Sequence, residues 1–149
     1  MLPKSRSRLF LFFWLLSATA AAQKTADQQP CARDARVSSG IILTTTDGHT
    51  RRITTNIKDD EPSLSLDGTT VVFMRKIKEE HEIFGPLIIT ESEIWSASCA
   101  ENWRSVRLVK PPIQSIYGAL RHPQLAPDNS RVYFLADRWS AASGGLFYV

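Results

Sequence analysis

Pro62-Ser63-Leu64-Ser65-Leu66-Asp67-Gly68-Thr69-Thr70-Val71-Val72-Phe73 returns 61 residues later as Pro123-Gln124-Leu125-Ala126-Pro127-Asp128-Asn129-Ser130-Arg131-Val132-Tyr133-Phe134. Five identities in twelve carry little weight as a count, so their positions matter more. Asp67-Gly68 and Asp128-Asn129 stand where a type I turn hands over to a residue of left-handed backbone, a seat that suits Gly and, next best, Asn. An aspartate just before that seat is a turn former, and the repetition of Asp67 as Asp128 needs no catalytic explanation. A strand pattern follows each turn: Val71-Val72-Phe73-Met74 in one copy and Val132-Tyr133-Phe134-Leu135-Ala136 in the other. Unbroken apolar runs predict strands covered on both faces, as in sheets stacked face to face. The stretch is an internal repeat.

Each copy continues to a further strand signal, Glu93-Ile94-Trp95-Ser96 in the first and Gly145-Leu146-Phe147-Tyr148-Val149 in the second. Upstream, Ile41-Ile42-Leu43 and Arg51-Arg52-Ile53-Thr54 flank Asp47-Gly48, a strong hairpin signal that matches the late part of a preceding unit. Helical apolar spacing with caps is absent throughout. The chain therefore reads as all-β: half a unit, one whole unit over 61–109, and three strands of a third. Residues 76–90 read as an unusually long connection inside the whole unit.

Pro62-x-Leu64-Ser65-x-Asp67-Gly68-x-x-Val71-x-Phe73, followed by Glu93-Ile94-Trp95 and preceded by Asp47-Gly48-x-x-Arg51-Arg52-Ile53-Thr54, resembles the repeat of TolB-like β-propellers. The resemblance spans residues 40–149. Leu66 stands where the family usually has Pro, and Asn129 where it has Gly. The resemblance implies four-stranded antiparallel blades, a partial propeller of two to three of them, and a periplasmic or secreted binding scaffold. Propellers close with about four to eight blades, so the expected ring is incomplete at its C-terminal end. Its strand edges would invite self-association or completion by other chains.

Lys4, Arg6 and Arg8, the apolar run from Leu9 to Leu16 and the small residues ending in Ala20-Ala21-Ala22 follow the order of a cleavable signal peptide over residues 1–22. A membrane-spanning helix needs about 20 apolar residues, and residues 9–22 supply 14. A stable membrane span is therefore not expected after cleavage. Residues 23–39 are polar, lack periodicity and contain Pro30, which reads as an unstructured leader. Without the signal the chain holds 15 Lys and Arg against 15 Asp and Glu, so no basic excess remains to attract nucleic acid. In an exported chain Cys31 and Cys99 either pair or remain two thiols.

Chemistry is sparse. No Gly-x-Ser-x-Gly elbow is present, and no catalytic residue, metal site or cofactor is read from the chain. Glu79, Glu80, His81 and Glu82 form a candidate ligand loop, against which a solvated charged loop is the simpler account. Asp59-Asp60-Glu61 lacks the rhythm of a calcium loop and reads as surface. His49 reads as a hairpin tip and His122 as a strand entry. Trp95, Trp103 and Trp139 read as packing aromatics. The resulting expectation is an exported scaffold that binds a protein or another envelope ligand. The alternative is the truncated propeller portion of an enzyme such as a prolyl-oligopeptidase-type serine peptidase.

Overall fold

A proline inside a strand is tolerated where the hydrogen-bond ladder is already interrupted, and both repeat prolines occupy such places. In β4 (Asp59–Leu64) Glu61 turns to φ 50° just ahead of Pro62, and in β8 (Tyr117–Leu125) His122 turns to φ 51° ahead of Pro123. Pairing slips between Asp60 and Ser63 in one strand and between Arg121 and Gln124 in the other. Each slip is a β-bulge. Around the first, β4 pairs with β5 (Thr70–His81) through Asp59 with Arg75, Asp60 with Met74, Ser63 with Val72 and Leu64 with Val71. Around the second, β8 pairs with β9 (Val132–Arg138) through Leu120 with Ala136, Arg121 with Leu135, Gln124 with Tyr133 and Leu125 with Val132. Every residue of the second set is a residue of the first displaced by 61. The repeat is one of backbone register as well as of letters. His122 accordingly lies within a strand, at the bulge, and not at a strand entry.

An ion pair joins β4 to β5 in one copy and β8 to β9 in the other, at the same repeat position. Lys76 Nζ lies 3.0 Å from Asp60 Oδ2, and Arg121 Nε lies 2.7 Å from Asp137 Oδ2. The polarity is reversed between the copies.

The computed structural model describes residues 31–81, 87–111, 117–138 and 145–149. Three antiparallel sheets are formed, and the protein is all-β: β1 (Ala32–Val37), β2 (Ile41–Thr45) and β3 (Thr50–Arg52) make the first. The middle sheet is β4, β5, β6 (Leu87–Ser98) and β7 (Ser105–Val109), and the third is β8, β9 and β10 (Gly145–Tyr148). They do not close into a ring among the described residues. The signal peptide expected over 1–22 lies outside those residues. No described helix is long and apolar enough to cross a membrane.

Two expectations need correction. The leader expected over 23–39 contains β1, which pairs with β2 from Ala32 opposite Thr45 to Val37 opposite Ile41. Its buried contributions are only Ala32 and the half-buried Ala35, between exposed Arg33, Asp34 and Arg36, so no apolar run announces it. The long connection over 76–90 is for its greater part strand: β5 and β6 stay paired out to His81 opposite Leu87, with slips beside Lys78.

Val71, Val72, Phe73 and Met74 of β5 are all fully buried, since the middle sheet is covered on both faces. Val71 and Ala97 pack with Ala32, Leu43 and Trp103 towards the first sheet. Val72 and Ile94 pack with Leu120, Val132, Phe134 and Ala136 towards the third. In β9 burial alternates instead: Val132, Phe134 and Ala136 are buried while Leu135 is 40% exposed. Two-sided cover, expected for both copies, is found only in the first, because the third sheet meets a described neighbour on one face alone.

Candidate functional site

Gly68 takes φ 68° and Asn129 φ 59°. In one copy Gly68 N–H donates to Ser65 O at 2.9 Å, and in the other Asn129 N–H donates to Ala126 O at 2.9 Å. Asp67 Oδ1 accepts from the Thr69 amide at 3.0 Å and hydroxyl at 2.8 Å; Asp128 Oδ1 accepts from those of Ser130 at 3.0 and 2.7 Å. Burial acts to raise the Asp67 carboxyl, but bonds from Ser65, Thr69 and Asn129 outweigh it and hold the group below its ordinary value. The Ser130 hydroxyl and amide lower Asp128. The two turns also touch, with Asn129 Nδ2 donating to Asp67 Oδ2 at 2.8 Å.

Cys31 and Cys99 form a disulfide across 68 residues, with Cα atoms 6.3 Å apart. It ties the start of β1 to the short 3-10 turn Cys99–Glu101 that follows β6. Both segments converge on the first turn: Ala32 N–H donates to Gly68 O at 2.9 Å and Cys99 N–H to Thr69 O at 2.8 Å.

Towards the other end of the same sheet–sheet junction the chemistry changes. Asp59, fully buried, accepts a side-on fork from Arg75, with Nε at 2.6 Å and Nη2 at 2.9 Å. Alone, such a buried carboxylate would be strongly destabilising; the guanidinium and its two bonds offset that. The Arg75 guanidinium also lies 4.0 Å above the Trp95 ring. Trp95 Nε1 donates to Glu93 Oε2 at 2.9 Å, and Arg107 donates to Glu93 Oε1 at 2.9 Å. Arg75 is thereby fixed from two sides.

An open groove of about 400 Å³ reaches this ladder at Arg75, lined by Arg52, Thr54, Thr55, Asn56, Arg75 and Ser105 together with Ile53. Its wall is clamped: Ile53 N–H donates to Ile41 O at 2.9 Å, and Ile41 N–H donates to the buried Thr54 hydroxyl at 2.9 Å. Gly40 takes φ 108°, and a Cβ there would stand 2.2 Å from Thr54 O. Arg52 is steadied by donating to Ser39 O at 2.7 Å and to Ser38 O. The size is that of a small-ligand site.

The residues singled out from sequence are distributed differently. Glu79 lies on β5 and approaches Lys76 Nζ at 3.8 Å; Glu80 and His81 belong to the same strand, and Glu82 and Trp139 lie outside the described residues. Glu79, Glu80 and His81 are therefore part of a strand and not a free loop. No group of three or more metal-binding side chains is assembled among the described residues. Trp103 is buried beside the disulfide. Asp59 was expected at the surface and is instead the most enclosed acid among the described residues. Its sequence signal was available: at the repeat positions where Asp59 and Arg75 stand, the other copy has Leu120 and Ala136. Comparison of the chain with protein-family profiles, with curated proteins and with solved structures finds no match in any of the three.

Proposed function

We propose that the chain is an exported, TolB-like propeller-type scaffold that holds a ligand in the groove between its first and middle sheets. The observation that carries this reading is the exchange of an apolar pair, Leu120 and Ala136, for the ion pair Asp59 and Arg75 beside that groove. The apolar version suffices to pack one junction of the same sheet. A buried ion pair adds little net stability over well-packed apolar residues, so its place next to an opening points to binding. The 61-residue repeat of register, bulge and turn supports the propeller reading, and the disulfide agrees with an exporting route.

A thermal-shift screen of neutral sugars, small anions and short peptides tests it. A ligand at about 100 times its Kd stabilises by about 2.7 kcal/mol, so at least one class should raise Tm by several degrees. Thr55→Trp, which fills the groove, should remove that shift. A screen with no shift, or a shift indifferent to Thr55→Trp, overturns the reading.

A further inference from the structure

Resting on the groove being a ligand site, we infer that what it takes is a small molecule presenting an oxyanion, a carboxylate or a phosphate. Among the described residues the lining contains two charged side chains, both arginines, and the rest of its polar groups are the uncharged Thr54, Thr55, Asn56 and Ser105. Asp59 sits behind Arg75 with its side chain 0% exposed, so the carboxylate that balances Arg75 does not face the opening. The fork occupies Nε and Nη2, which leaves Nη1 outside the Asp59 contact. A planar guanidinium offers paired N–H donors that match carboxylate and phosphate oxygens. Here that donor is held by the Asp59 fork beneath it and by Trp95 against its face, so little rotamer freedom remains to be lost on binding. Thr55, Asn56 and Ser105 can hydrogen-bond the oxygens that the arginines do not reach.

The repeat supplies the control variant. D59L/R75A installs in the first junction the pair that the second already uses, removing the bound arginine without stranding a buried charge. Sodium phosphate, sodium sulfate and sodium succinate are titrated into the full chain at constant ionic strength, with sodium chloride as reference, and followed by ¹H–¹⁵N spectra. Saturable shifts centred on Arg75, Arg52 and Ser105 are expected, weakened at least tenfold in D59L/R75A and at least threefold in R52A. Comparison of phosphate and sulfate with succinate decides between tetrahedral and planar oxyanions. Shifts that track ionic strength alone, or saturable binding unchanged in these variants, overturn the inference. Should D59L/R75A fail to fold, R52A and Thr55→Trp carry the same decision. If anions fail while another class in the thermal screen binds and is blocked by Thr55→Trp, the oxyanion falls and the scaffold reading stands.

Discussion

Against the third sheet, the middle sheet presents Val72 and Ile94 to Leu120, Val132, Phe134 and Ala136, and buried Ser92 closes the seam. Its hydroxyl donates to Leu120 O and accepts from Leu120 N–H, each at 2.6 Å. Against the first sheet, the same sheet has an apolar cluster at one end only, stapled by the disulfide, and the Asp59–Arg75–Trp95 ladder at the other. The two junctions use the same register, so their difference is one of side chains. Among the described residues one carries an apolar cluster closed by Ser92, and the other an apolar cluster at one end and a groove lined by two arginines at the opposite end. Stability and a binding surface make opposite demands on a junction, and under the function proposed above they fall to different ones.

Arg75→Ala should break the contrast hardest, because it leaves Asp59 buried without a partner; a loss of about 3–5 kcal/mol is expected, read by chemical denaturation. D59L/R75A sharpens it, since converting the charged junction to the apolar pattern should be neutral or stabilising by about 1–4 kcal/mol. A double variant as unstable as Arg75→Ala would mean that the junctions are not interchangeable. Next, Cys31→Ser/Cys99→Ser removes the staple, and closure of a loop of this length sets a ceiling of about 4 kcal/mol on the loss. Reduction of the native chain by thiol should reproduce it.

Ser92→Ala acts on the junction with the third sheet instead. It strips Leu120 of partners for a buried N–H and C=O, and a loss of about 1–3 kcal/mol should appear in Tm without affecting ligand binding in the groove. Gly68→Val, at φ 68°, should destabilise by about 1 kcal/mol or more, with Gly68→Asn milder, because only the β-branched residue strongly resists left-handed backbone. The smallest effect is expected with acid. The depressed Asp67 carboxyl contributes stability that is full above the ordinary aspartate value of 3.8 and is lost as pH falls through its lower folded value. Asp67→Asn should therefore show a shallower loss of stability below that pH than the native chain.

How much of this could be read from letters follows from the range of each interaction. The turns at Asp67-Gly68 and Asp128-Asn129 are local, and their residue types announce them. Strand β5 announces itself because both of its faces are apolar. Strand β1 does not, since its contribution to the core is two alanines among charges. Asp59 looked like part of a solvated acidic run because its partner lies 16 residues away across a bulge. Only the register reveals that Arg75 is opposite. The groove needs residues from three separate segments, and no spacing rule joins Asn56, Arg75 and Ser105.

The reversed ion pairs have a bearing on how the chain sorts itself while folding. Repeats with a shared register can exchange strands, and repeat proteins misassemble that way. Were β8 to pair with β5, Arg121 would come to lie beside Lys76; were β4 to pair with β9, Asp60 would face Asp137. Both exchanges set like charges across neighbouring strands, which is unfavourable. Each native pair is partly exposed and contributes little to the finished fold. Its larger effect is on identity, since a strand that docks on the wrong repeat meets repulsion where its own repeat offers a partner.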